Sequence, residues 1–195
     1  MLADPCTLPI RSEAAPVPCV APIVIRPVRP DDESRLAAFF RGLSPHSRQR
    51  RFHGGVNELP PGVIAQFVRR CGSDGLGLLA VVTCSGAEVV IGEAAYAIAR
   101  PRTRNAEIAI AVADDVQGRG LGKRLLRSLM SHAAANDVTS MYGGVQPDNK
   151  AMLALARALG FTERRDAADA RLRRVERCLP EPSALATLPE GAAAI

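Results

Sequence analysis

The sequence contains no tryptophan, and its aromatic content is two tyrosines and five phenylalanines in 195 residues. Lysine is nearly missing too: of 25 basic residues only Lys123 and Lys150 are lysine. Single-stranded nucleic acid is gripped by basic residues interleaved with aromatics, so nucleic acid is a poor match. The basic balance, 25 − 20 = +5, suits smaller phosphate-bearing ligands better. No apolar run approaches the ~20 residues of a membrane span. The first residues carry Asp4 and no continuous apolar core, unlike a secretory leader. A cytoplasmic protein without a membrane partner is expected. The five cysteines form no C-x-x-C pair, and the three histidines fall at no ligand spacing with them, so neither a disulfide framework nor a metal is expected.

What is present reads as one globular domain. Apolar residues make up 47% and charged residues 23%, the ordinary balance for a folded chain. A length of 195 residues suits a single domain that buries a sizeable core. Residues 1–21 and 179–195 are rich in proline and alanine without periodicity and read as flexible tails. The domain is expected over 22–178.

Inside those limits the pattern is regular. Residues 23–28 are a β-branched run, read as a strand. Asp31 is placed to cap the helix carrying Leu36, Phe39, Phe40 and Leu43 on one face. Ser44-Pro45 breaks it, and the basic segment SPHSRQRRFHGG follows. Pro60 and Pro61 open a second helix ending near Cys71-Gly72. Strands are read at 76–83 and 88–99, joined by a Ser85-Gly86 hairpin turn, and a third at 107–112. A glycine-rich turn then leads into a helix with Leu125, Leu126 and Leu129. A strand at 138–145, a helix at 149–159 and final strands at Phe161 and 171–179 complete an α/β fold. It has a mixed central sheet of about six or seven strands and about four flanking helices.

The most informative segment is Gln117-Gly118-Arg119-Gly120-Leu121-Gly122-Lys123, between a strand and a helix. Glycine lets the chain turn tightly and lets a ligand approach its N–H groups. The first helical turn offers unpaired donors and the positive dipole end, a phosphate cradle. Two common phosphate motifs fail. Arg124 stands where a P-loop needs Ser or Thr, and the Gly118-x-Gly120-x-Gly122 spacing is not the dinucleotide fingerprint.

The turn instead resembles the Q/R-x-x-G-x-G/A pattern of the GNAT acyltransferase superfamily, at that family's position after a central strand. Asn149 through Gly160-Phe161 is similar to its second motif. The resemblance spans about residues 22–165. Residues 25–32 and 39–52 are similar to the acetyltransferase domain of bacterial protein-lysine acetyltransferases.

The resemblance implies a direct N-acetyl transfer from acetyl-CoA, the co-substrate, to a primary amine, with a protein lysine among the acceptors. Acetylation of a small amine and a non-catalytic acyl-CoA-binding sensor stay open. The pantetheine arm would lie along Ile110, Ala111 and Val112, and the pyrophosphate on Gly118 to Lys123. Asn149 would touch the pantetheine, or cap its helix, or both. A neutral amine must form from an ammonium of pKa ~10.4, which calls for a proton acceptor held in the cleft. Glu107, on the strand before the turn, matches the family's glutamate, with Glu93 as backup. A backbone N–H near Val112 would take the oxyanion. Gly144 stands where some members carry a glutamate and Ala156 where others carry a tyrosine acid, leaving protonation of the thiolate without a residue. Tyr142 shares the face of Gly144. The Arg-rich segment 41–54 is expected to face the acceptor, to disfavour polycations and to suit an acidic surface.

Overall fold

The computed structural model describes residues 7–10, 17–20, 22–53, 61–73, 75–98 and 103–180. The expected N-terminal tail carries a two-stranded hairpin, β1 (Thr7–Ile10) against β2 (Val17–Val20). Then come β3 (Val24–Pro27), α1 (Glu33–Gly42), α2 (Pro45–Phe52) and α3 (Pro61–Ser73). The strands β4 (Gly75–Cys84), β5 (Ala87–Ile98) and β6 (Asn105–Val112) form the expected meander. Next are α4 (Leu121–Ala135), β7 (Ser140–Val145), α5 (Lys150–Ala158), β8 (Thr162–Arg165) and β9 (Arg173–Cys178). The seven-stranded sheet runs β3-β4-β5-β6-β7-β9-β8, with β6 and β7 parallel and the other pairs antiparallel.

Among the described residues there are five helices against about four expected, the segment after Ser44-Pro45 being itself a helix. Ser44 caps α2 by accepting a hydrogen bond from the Ser47 N–H at 3.2 Å. Pro45 takes the first helical position, where its missing N–H costs nothing. The folded domain also reaches Leu179, which is buried and donates its N–H to Thr139. Residues 181–195 lie outside the described part of the chain.

Strand β4, next to the edge strand β3, is buried on both faces, which explains its unbroken run of Leu78 to Val82. Leu78, Ala80 and Val82 meet the leucines of α4. Leu79 and Val81 meet Leu36, Phe39 and Phe40 of α1 and Ile64 of α3. The hairpin turn is as expected: Ser85 and Gly86 both have positive φ, 50° and 80°, which matches the right-handed twist of the flanking strands.

Asp31 does not cap α1; it lies in a single turn of 3-10 helix, Pro30–Asp32. Asp32 is fully buried and accepts two hydrogen bonds from the Arg26 guanidinium, at 2.7 and 2.8 Å. Arg26 also donates to Glu88. Burial pushes the Asp32 carboxyl up, but the Arg26 hydrogen bonds and the Arg29 N–H outweigh it and hold it below the usual range.

Candidate active site

Strands β6 and β7 part company. Their pairing is confined to Asn105–Glu107 against Ser140–Tyr142, although β6 continues to Val112 and β7 to Val145. Beyond the last pair, Glu107 with Tyr142, the strands open into a fork. Along it the facing backbone edges have no ladder partner in each other, and an extended chain of amides can hydrogen-bond there as an added strand. A cleft of about 850 Å³ runs over the fork. Its floor comes from alanine. On β5 and β6 the paired residues Ala95 with Ala109 and Ala97 with Glu107 share one face, and small side chains there leave the room above the sheet.

One end of the cleft is the glycine-rich turn. Gly118 and Gly120 hold left-handed backbone, φ 75° and 80°. A Cβ at either would meet nothing within 4 Å, so backbone direction, not crowding, demands glycine there. Gly120 caps the fifteen-residue α4, whose first N–H groups and dipole complete an anion-binding turn. Gly122 is needed for close approach: a Cβ there would stand 3.2 Å from Leu155 and 3.7 Å from Ile110. Gln117, Gly118, Gly120, Leu121, Gly122 and Lys123 all line the cleft. Arg119 is exposed on the turn outside that lining. Arg124 turns to the Ile23 carbonyl at 3.4 Å.

Ile110, Ala111, Val112 and Asn149 also line the cleft. Asn149 is both cap and wall: its side-chain oxygen accepts from the Met152 N–H at 3.1 Å, leaving its amide N–H₂ for other partners. Gln117 donates to the Val112 carbonyl at 3.0 Å and to the Ser47 hydroxyl at 3.3 Å, tying the turn to α2.

Helix α2 forms the opposite wall, and its arginines are committed to the protein. Arg48 donates to the Arg41 and Leu43 carbonyls at the end of α1, at 3.1 and 2.7 Å. Arg50 pairs with Asp148 at 3.4 Å. Arg51 donates from Nε to Glu93 on β5 at 2.5 Å. Asp114, after β6, accepts from the Ser44 N–H and from the Ser44 and Ser47 hydroxyls at 2.7 to 2.9 Å. Burial pushes the Asp114 carboxyl up, but these hydrogen bonds hold it below the usual range. Residues 41–53 are therefore no solvated basic loop, and three of their arginines do not present free charge to an acceptor.

Glu107 is exposed, lines the cleft and stands at the mouth of the fork. Glu93 is fully buried under Arg51 and lies outside the cleft lining, so it positions α2 and does not meet an acceptor. Tyr142 has the Arg174 guanidinium 3.8 Å above its ring. Ala156, on α5, is buried in the core. Sequence reasoning missed Arg51 and His53 on the cleft wall. Ser44-Pro45 with Ser47 three residues after the cap was the available signal for α2.

The Acetyltransferase (GNAT) family model matches residues 46–161. The chain is 35% identical over 147 residues to "Acetyltransferase PA5475" of Pseudomonas aeruginosa, covering 75% of this chain and 78% of that one. The solved GNAT domain of S. lividans PAT is 27% identical with a TM-score of 0.72, over 80% of this chain and 90% of that one. A phosphinothricin acetyltransferase from Sinorhizobium meliloti, solved with acetyl-CoA, shares the fold at 20% identity and a TM-score of 0.66, over 83% and 91%. The chain belongs to the GNAT family of acetyltransferases.

Proposed function

We propose that this protein is a cytoplasmic enzyme that moves the acetyl group of acetyl-CoA to a primary amine by direct attack, with a protein lysine as acceptor. The observation that carries the reading is the position of Glu107, exposed at the fork where β6 and β7 part. The fork takes the pantetheine along Ile110, Ala111 and Val112. The turn from Gln117 through Gly118, Arg119, Gly120, Leu121, Gly122 and Lys123 takes the pyrophosphate, and Asn149 offers its free amide hydrogens to the arm.

Glu107 attracts the acceptor ammonium and takes its first proton, which passes to solvent. The neutral nitrogen attacks the thioester carbonyl carbon, whose oxygen becomes an oxyanion on a backbone N–H of β6. The C–S bond then breaks. The nitrogen gives up a second proton and the sulfur gains one, leaving amide, CoA thiol and one proton in solvent. Without a covalent acyl-enzyme, the rate rests on positioning and proton removal.

An open mouth supports a macromolecular acceptor. Val63 of α3 is 43% exposed beside it, and Phe52 and Phe67 line the same wall. Such a surface fits the methylene stem of a lysine whose head reaches Glu107. The resemblance of residues 39–52 to protein-lysine acetyltransferases points the same way. The test is transfer from labelled acetyl-CoA into a cell extract separated into protein and small-molecule fractions. Label in protein supports the lysine acceptor. Label confined to small molecules reassigns the acceptor to a small amine. Acetyl-CoA binding without transfer to either fraction moves the protein to the sensor class.

A further inference from the structure

Strand β7 offers no functional side chain where it faces the fork, because the residue there is Gly144. The space is nevertheless filled. A Cβ at Gly144 would stand 2.9 Å from Cδ1 of Leu172 and 3.1 Å from Cε1 and 3.6 Å from Nδ1 of His53. Leu172 and the imidazole together occupy the volume that a side chain at 144 would need. It comes from the end of α2 and lines the same cleft as Glu107 and Ala109. Glu107 pairs with Tyr142, and Gly144 lies two residues further on the same face. His53 therefore overlies the fork about 7 Å along the strands from the level of Glu107.

The way His53 reaches this place is unusual. It caps α2 in left-handed backbone, φ 53° and ψ 23°. Glycine normally takes that position, and the chain has Gly54-Gly55 immediately after it. A residue with a Cβ is disfavoured there, so the surrounding fold has to hold this backbone, and such held positions cluster at functional sites. Helix α2 is held by Asp114 at its start and by Asp148 and Glu93 along its length, so the ring is carried on an anchored element. Among the described residues, no hydrogen bond ties either ring nitrogen. Charged groups that share the cleft with it are Arg50 and Arg51 on its own helix, Glu107 on β6 and Lys123 on α4; Arg174 of β9 pairs across the sheet with Gly144, and Asp169 between β8 and β9 lies within electrostatic reach.

We propose that His53 is a catalytic residue of the acetyl transfer, taking the proton that leaves the attacking nitrogen as the N–C bond forms and delivering it to the sulfur as the C–S bond breaks. Glu107 accounts for the first proton of the ammonium, and His53 for the second. The imidazole begins and ends neutral, no other reactant is needed, and the thiolate acquires its proton donor. Imidazole suits the task because a neutral ring offers one nitrogen that accepts a proton and one that donates. This assignment rests on the acetyltransferase reading above.

The test compares wild type, His53→Ala, His53→Gln and Gly144→Ala in transfer of labelled acetyl to the extract fraction that wild type labels. Acetyl-CoA affinity and thermal melting are measured in parallel. His53→Ala and His53→Gln are expected to keep acetyl-CoA affinity and lose about 100-fold in kcat. Added imidazole should restore part of the His53→Ala rate but none of a Glu107→Gln rate. Gly144→Ala, whose Cβ would press on Leu172 and on the ring without removing the imidazole, should also lower kcat. It carries the test if the His53 variants do not fold. Wild-type kcat in the His53 variants, or a loss that imidazole does not relieve, would overturn the assignment while leaving the acetyltransferase reading intact. Likewise, wild-type kcat in folded Gly144→Ala would overturn it where that variant carries the test. A wild type that binds acetyl-CoA and labels nothing would overturn both.

Discussion

Arg51 on α2 donates from Nε to the carboxylate of Glu93 on β5 across 2.5 Å, and the carboxylate is fully buried. The contact joins the wall of the cleft to its floor. Glu93 pairs across the sheet with Ala111, so the helix is pinned beside the strand that lines the fork. Removing one partner leaves the other charge buried and alone. Arg51→Ala is expected to lower stability by about 3–5 kcal/mol, read as a shift in the urea unfolding midpoint at unchanged slope. Glu93→Gln should fall in the same direction by less, because an amide still accepts a hydrogen bond.

Asp114 joins the start of α2 to the end of β6 through three hydrogen bonds from Ser44 and Ser47. Asp114→Ala removes all three acceptors at once. Its expected cost is about 1.5–3 kcal/mol, the range for hydrogen bonds to a charged group. Because Gln117 leans on the Ser47 hydroxyl, the variant should also weaken acetyl-CoA binding. Calorimetric titration of variant and wild type checks this.

Acid sensitivity follows from the same carboxylates. Asp32 and Asp114 both ionise below their ordinary value of 3.8 in the folded protein. Groups lowered by folding stabilise it fully above their unfolded pKa, and that contribution fades as pH falls through the folded one. The urea midpoint should therefore drop steeply below about pH 4. Asp32→Asn should be less stable than wild type at pH 7 and should lose less on acidification.

The fork predicts where acetyl-CoA slows amide exchange. Residues 109–112 of β6 and 143–145 of β7 lie beyond the last β6–β7 pair. Adding acetyl-CoA should protect these segments and the turn at 118–123, with little change in β4, which is already buried between neighbours. Hydrogen exchange read by mass spectrometry measures it.

The meander, the crossover helix and the turn were legible because their signals are local. Alternating apolar residues mark β5 and β6, and Gly118 through Gly122 mark the entry to α4. Helix α2 was not legible in the same way, since Ser44-Pro45 both stops one helix and starts the next. Its arginines read as exposed charge because their partners, Glu93 and Asp148, lie 42 and 98 residues away in sequence. The placement of His53 over Gly144 is equally non-local: only the fold brings the end of α2 above β7.

The central claim is that an amine is acetylated at the fork with Glu107 taking its proton. The most direct measurement is the rate of labelled acetyl transfer by wild type and Glu107→Gln, alongside their acetyl-CoA affinities. The account predicts equal affinities and a rate at least about 100-fold lower in the variant. Equal rates in the two proteins would contradict it.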